Sequence, residues 1–122
     1  MLINYQIWID RRGKIMEVKD LATNTYGIVG SIAFDISDTT TEAFLFDLNV
    51  NEDFQGEGYA TTLRNFAIGK ILSEGATQIK TTAHSYNEEF PQEDLEKFYV
   101  KNFEENGAHT VAKIGPRILA SF

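Results

Sequence analysis

Two glycines one residue apart, Gly56 and Gly58, stand between a strand-like segment, Ala43 to Val50, and an amphipathic run, Thr61 to Glu74. The chain must therefore pass from strand to helix within one short polar turn. That order aims several free backbone N–H groups at one point. The first turn of a helix has no internal acceptors for its N–H groups, and the helix dipole adds partial positive charge there. A phosphate or pyrophosphate is the natural guest. Glycine removes the side chains that would hold such a guest away from the backbone. A Rossmann fingerprint would need a third glycine position, a βαβ unit and an acidic residue some way on, and the preceding strands here read as antiparallel. A P-loop would need Gly-Lys-Ser/Thr where this chain has Gly58-Tyr59-Ala60. Both fit poorly.

Hydrophobic periodicity supplies the rest of the outline. Leu2 to Asp10 alternates, with Ile3, Tyr5, Ile7 and Ile9 on one side, as in a half-buried strand. Arg11-Arg12-Gly13 reads as a turn and Lys14 to Asp20 as a returning strand. Leu21 to Gly27 is turn-like, Ile28 to Ile36 alternates again, and Asp38 to Thr41 is a second turn before Ala43 to Val50. Four strands with short connections predict an antiparallel meander. In Thr61 to Glu74 the period changes: Leu63, Phe66, Ala67, Ile71 and Leu72 form the apolar stripe, Arg64 and Lys70 lie off it, and Gly75 supplies a stop. Gln78 to Ala83 is a fifth strand and His84 to Phe90 a loop. Pro91 to Asn102 is a second helix, with Glu93 and Asp94 in its first turn, Lys97 and Lys101 near its end, and Leu95, Phe98 and Asn102 on one face. His109 to Phe122 reads as one or two closing strands bent at Gly115-Pro116.

Composition narrows the function. At 122 residues, with 43% hydrophobic and 12% aromatic content, the chain reads as a single globular domain. It shows no membrane span and no signal peptide, which predicts a cytoplasmic protein. Cysteine is absent, excluding disulfides, thiolate metal sites and an acyl-cysteine intermediate. With two histidines, no metal centre is expected. A net charge of −7 disfavours nucleic-acid binding and suits either a cationic substrate or simple solubility.

The string Asp47-Leu48-Asn49-Val50, followed after four residues by Gln55-Gly56-Glu57-Gly58-Tyr59-Ala60, resembles the acetyl-CoA motif of the GCN5-related N-acetyltransferases, Gln/Arg-x-x-Gly-x-Gly/Ala. Leu95-Glu96-Lys97-Phe98-Tyr99 is similar to that family's late helix with its tyrosine. The resemblance implies an α+β fold: a mostly antiparallel, splayed sheet of six or seven strands with two main helices. It implies transfer of an acetyl group from acetyl-CoA to a primary amine by direct attack in a ternary complex. The strand carrying Leu48, Asn49 and Val50 would pair with the pantetheine arm, and the backbone of Gln55, Gly56, Glu57, Gly58, Tyr59 and Ala60 would hold the pyrophosphate. Tyr99 would protonate the departing thiolate, and the N–H of Val50 would stabilise the oxyanion. Gln92 stands where many relatives carry a CoA-contacting Asn. For the base, Asp47 ranks first and His84 second, with Glu42 and ordered water as further alternatives.

The departures matter as much. Gln55 replaces the common cation and Glu57 the commonly basic residue between the glycines, leaving Arg64 as the nearest cation in sequence. Asn102-Phe103 replaces the usual Gly-Phe and comes one residue early. Relatives insert two helices between their first strands, yet nothing from Leu2 to Val50 has a helical period. That predicts a shallow, open site and an acceptor such as a lysine of a protein partner. The compact length and the run Gln92 to Tyr99 also resemble small phage-encoded acetyltransferases. The competing reading is a catalytically inactive protein of the same fold that binds or occludes a host partner. Whether the chain is a monomer or a dimer stays open.

Overall fold

The computed structural model describes residues 1–17, 27–83 and 91–122. In chain order these form β1 (Leu2–Asp10), β2 (Ile15–Glu17), β3 (Ile28–Ser37), β4 (Glu42–Val50), a 3-10 turn (Glu52–Phe54), α1 (Tyr59–Ser73), β5 (Gln78–Thr82), α2 (Gln92–Glu105), β6 (Thr110–Ile114) and β7 (Arg117–Ser121). The seven strands make one sheet in the order β2-β1-β3-β4-β5-β7-β6. Every pair is antiparallel except β4 with β5. The α+β architecture expected from the sequence is the one observed. Among the described residues no helix precedes Glu52. The end of the expected returning strand (18–20), the turn-like segment (21–26) and the expected loop (84–90) lie outside the described residues.

The first four strands are not a simple meander. β1 turns into β2 through Asp10, whose Oδ1 accepts the N–H groups of Arg12 and Lys14, each at 2.9 Å. β3 then pairs with the opposite edge of β1, so β1 lies inside the sheet. This placement explains why Ile7 and Ile9 are fully buried. Tyr5 stacks on Phe34 across the β1–β3 ladder, with ring centroids 5.3 Å apart.

Register puts Ile7, Ile32, Phe34, Leu45, Ile79 and Ala120 in the buried cluster, which Leu63, Ala67, Ile68 and Ile71 of α1 and Tyr99 and Phe103 of α2 complete. Each large apolar side chain buried there contributes ~1.5–3 kcal/mol relative to exposure. Gly75 ends α1 as predicted: its N–H reaches Leu72 O at 3.0 Å and that of Ala76 reaches Ile71 O at 3.3 Å, the paired bonds of a Schellman stop.

Both helices are rotated from the expected faces. On α1, Phe66 is 40% exposed while Arg64 is only 4% exposed. On α2, Phe98 is 47% exposed, and Glu96, Tyr99, Asn102 and Phe103 turn inward. The helix also runs three residues past Asn102, to Glu105. The inward positions of α2 follow 3.6-residue spacing as well as the expected ones do, so periodicity alone could not choose between them.

Candidate active site

The site begins with a slip in register. β3 and β4 pair at Ser31 with Asn49 and next at Ala33 with Phe46, so Ile32 faces two residues, Asp47 and Leu48. This is a β-bulge, and Asp47 takes it up at φ 49°. Aspartate tolerates that left-handed conformation better than most residues, because its short polar side chain bonds locally.

Beside the bulge the sheet parts. β4 and β5 run parallel from Glu42 opposite Gln78 to Leu45 opposite Thr81, and beyond that pair they no longer join. The last link is a buried hydrogen bond from Thr81 Oγ1 to Leu45 O, 2.8 Å. Past it lies a cleft of about 700 Å³ whose walls include Leu48, Asn49, Thr81, Tyr99, Ile118 and Leu119. A smaller pocket of about 220 Å³, lined by Gln6, Trp8, Ser31 and Asn49, meets the cleft at Asp47.

The end of β4 leads into the glycine loop. Gly58 is the residue before α1, at φ 89°, a conformation few other residues adopt without strain. The Thr62 N–H and Oγ1 both bond to Gly58 O at 3.0 Å. In an α-helix that amide is the first to find an internal acceptor, which leaves those of Tyr59, Ala60 and Thr61 for a guest. No acidic residue lies in the first turn. Gln55 ties the loop back to the strand, its Nε2 donating to Val50 O at 3.1 Å. Residues Gln55 to Gly58 are exposed, Glu57 among them.

Arg64 is not the loop's cation. It is buried against α2, where its Nε donates to Asn102 Oδ1 at 3.1 Å and its guanidinium carbon lies 5.1 Å from the Tyr99 ring centroid. Among the described residues, a cation that does stand near the loop is one sequence reasoning missed. Arg11, in the β1–β2 turn, lies over the Phe54 ring at 5.3 Å. Phe54 meets Tyr59 edge-on, and the Tyr59 hydroxyl donates to Arg11 O at 3.0 Å. Contacts spanning more than 40 residues join these groups, and local pattern carries no sign of them.

Tyr99 is 7% exposed and lines the cleft. Burial pushes its phenol above the usual tyrosine range, while the charge and hydrogen bond of Arg64 oppose that rise. A phenol so placed keeps its proton at neutral pH and can donate it. Gln92 turns toward the protein: its Nε2 bonds to Ala83 O at 2.5 Å and to Glu96 Oε2 at 2.9 Å. Glu96 also pairs with Lys113 at 2.8 Å. Of the alternative bases, Glu42 is engaged by Lys80 at 3.0 Å, and His84 lies outside the described residues.

The sheet thus parts beside a glycine-opened helix, with a phenol in the gap. The model of the Acetyltransferase (GNAT) family matches residues 4–89, and the chain belongs to that family. Among solved structures, the anti-CRISPR protein AcrVA5 is similar at 20% identity and TM-score 0.56, over 75% of this chain and 88% of that one. The PaiA N-acetyltransferase of Thermoplasma acidophilum, in complex with coenzyme A, is similar at 13% identity and TM-score 0.55. That match covers 99% of this chain but 61% of the other, so the chain spans less than two thirds of the archaeal enzyme. Tetrahymena GCN5 matches at 16% identity and TM-score 0.55, over 88% of this chain and 67% of that one. At these identities the likeness is one of fold. No curated protein gave a significant sequence match.

Proposed function

We propose that the chain is a single-domain, cytoplasmic N-acetyltransferase that moves an acetyl group from acetyl-CoA to a primary amine. One observation carries the reading: the β4 edge left free where β4 and β5 part leads on one side to the open amides of α1 and on the other to the protonated phenol of Tyr99 in the cleft wall. These fit the three parts of the cosubstrate. The backbone of Leu48, Asn49 and Val50 pairs with the pantetheine arm, and the loop from Gln55 to Ala60 receives the pyrophosphate. Tyr99 lies where the thioester sulfur arrives. Gln92 braces the start of α2 against Ala83 beyond the end of β5, beside the expected CoA side of the cleft.

The acceptor amine enters from the side of Asp47. Asp47, or a water held by it, takes the ammonium proton, and the neutral amine attacks the thioester carbonyl. The carbon–sulfur bond breaks, Tyr99 gives its proton to the CoA thiolate, and the second proton on nitrogen leaves to water in the cleft as the amide forms. Register places Phe44, Lys80, Leu119, Ala112 and Ile114 on the sheet face opposite the two helices, and Ile114 is 79% exposed there. Among the described residues no helix covers that face, which supports an acceptor presented on a large partner, such as a lysine of a protein.

Calorimetric titration of acetyl-CoA, with CoA as the comparison, tests the cosubstrate. Micromolar binding is expected, and no binding at millimolar acetyl-CoA would refute the enzyme reading. The second reading, a GNAT-fold protein that acts by occluding a partner, draws on Glu57 standing where a base would serve a phosphate. Occlusion would survive scrambling of Gln55 to Ala60 in a folded protein, whereas acetyl transfer would not.

A further inference from the structure

We propose that Arg64 is a positioning residue for the acid step, holding the Tyr99 ring and stabilising the phenolate left when its proton passes to the departing thiolate. This rests on the acetyl-transfer reading above.

A buried guanidinium is costly unless an anion or a full set of acceptors compensates it. Among the described residues Arg64 has no carboxylate partner. Its partners are neutral: Nε donates to Asn102 Oδ1 at 3.1 Å, Nη2 to Thr61 Oγ1 at 3.3 Å, and the Tyr99 hydroxyl is a further acceptor. Asn102 is itself held, because its Nδ2 donates to Asn65 Oδ1 at 2.6 Å. Asn106 Nδ2 bonds to that same oxygen at 3.0 Å and to Asn102 O at 2.7 Å. Three asparagines thus fix one carbonyl toward Arg64 and set its charge against the Tyr99 ring. Asn102 is the residue that replaces the family's usual glycine, and this bracket gives that replacement a role.

The other charged groups around Tyr99 are accounted for. Asp47 of β4, Lys80 of β5 and Arg117 of β7 line the same cleft, and Lys80 is paired with Glu42. Glu96, on the same helix as Tyr99, is held by Lys113 of β6. Arg64 is the cation placed over the ring, and Tyr99 is the group beside Arg64 that can become an anion. When the Tyr99 O–H bond breaks and the S–H bond of CoA forms, the phenolate supplies the negative charge that Arg64 lacks. Solvent entering through the cleft then restores the proton. The opposing effects of burial and Arg64 on the Tyr99 phenol agree with this pairing.

The test compares wild type with Arg64→Met, Arg64→Lys, Asn102→Asp, Tyr99→Phe and the double variant Arg64→Met/Tyr99→Phe. Acetyl transfer is followed with acetyl-CoA and poly-L-lysine through release of the CoA thiol. The chain has no cysteine, so a thiol reagent reads only the product. Tyr99 is titrated by ultraviolet difference against Tyr99→Phe, and thermal unfolding checks the fold of each variant.

Loss of Arg64 is expected to raise the Tyr99 pKa and to lower kcat at least ~10-fold with little change in the acetyl-CoA KM. Lysine should restore part of both. Asn102→Asp, which gives Arg64 a carboxylate in place, should also raise the Tyr99 pKa without removing the guanidinium. In the Tyr99→Phe background, Arg64→Met should cost nothing more. An equal loss in both backgrounds, or a Tyr99 titration unmoved by Arg64→Met and Asn102→Asp, would overturn the coupling. Full activity in Tyr99→Phe would instead overturn the acid assignment on which it rests.

Discussion

Gly30 joins the fold to the cosubstrate groove, and Gly30→Ala is the change that tests that join. The residue lies in β3 between Ile9 of β1 and Val50 of β4. A Cβ there would stand 2.9 Å from Asn49 O, 3.2 Å from Leu63 Cδ1 and 3.4 Å from Val50 Cγ2. Leu63 can turn away, but the backbone oxygen cannot, so β4 must shift by some tenths of an ångström at Asn49 and Val50. Overpacking of this kind costs ~1–3 kcal/mol. Replacing glycine also stiffens the unfolded chain, which offsets ~0.4–1 kcal/mol of that. The net loss is then ~1–2 kcal/mol, or ~4–8 °C in Tm at ~2.1 cal/mol/K per residue over the chain. The same shift moves the edge proposed to pair with pantetheine, so the acetyl-CoA Kd should rise several-fold. Gly69→Ala is the control, because a Cβ at that helical position meets nothing and should raise Tm. Thermal unfolding and calorimetry read both quantities. A Gly30→Ala protein that melts at or above the wild-type temperature and binds acetyl-CoA equally well would refute the argument.

Asp47→Asn keeps the left-handed tolerance the bulge needs and removes the carboxylate. Its stability should stay within ~0.5 kcal/mol of wild type, while Asp47→Ala loses ~1–2 kcal/mol to the same φ. If Asp47 accepts the amine proton, Asp47→Asn lowers kcat ~10²-fold or more, and an unchanged rate would pass that role to unassisted water. The hydrogen bonds of Lys113 and then Gln92 hold the Glu96 carboxyl below its usual range. A folded-state pKa so depressed contributes stability above the ordinary glutamate value and loses it as pH falls through the folded one. Glu96→Gln should therefore melt below wild type at pH 7, and the gap should close below about pH 4. A gap of constant size down to pH 3 would show that the carboxylate charge contributes nothing.

What the sequence made legible follows from which interactions are local. The alternation of Leu2 to Asp10 and Ile28 to Ile36 set the strands, and Gly115-Pro116 set the bend between β6 and β7. The glycine loop could be read because its chemistry belongs to backbone amides, whose direction follows from strand, turn and helix order. The bulge was missed, though the chain carries its sign: core contacts fall at Ala43, Leu45, Leu48 and Val50, a spacing of two, three and two. Strict alternation cannot make that step, and one extra residue can. Arg64 was misplaced for a different reason. Amphipathicity assigns a charge to solvent, whereas here Asn102 and Tyr99 of a second helix give it partners 38 and 35 positions away. Phe66 and Phe98 were assigned inward by the same rule and lie outside, because each helix turns another face to the core.

The position of the cation also bears on catalysis. A basic residue in the loop would attract acetyl-CoA and product CoA alike, deepening ground-state binding without lowering the barrier to transfer. Arg64 sits one turn further along α1, beneath the phenol, where its charge gains an anion only as the proton leaves. If Tyr99 is the acid, that interaction strengthens as the transition state forms, in a site already ordered to receive it. On the proposed reading the loop, with Gln55 and Glu57 in place of cations, meets the pyrophosphate with amides and the helix dipole, while Arg11 stands close by over Phe54. Adding charge at the loop by Glu57→Lys should accordingly tighten acetyl-CoA and CoA together and leave kcat unimproved. A rise in kcat in that variant would show that the barrier had been limited by loop electrostatics and not by the acid step.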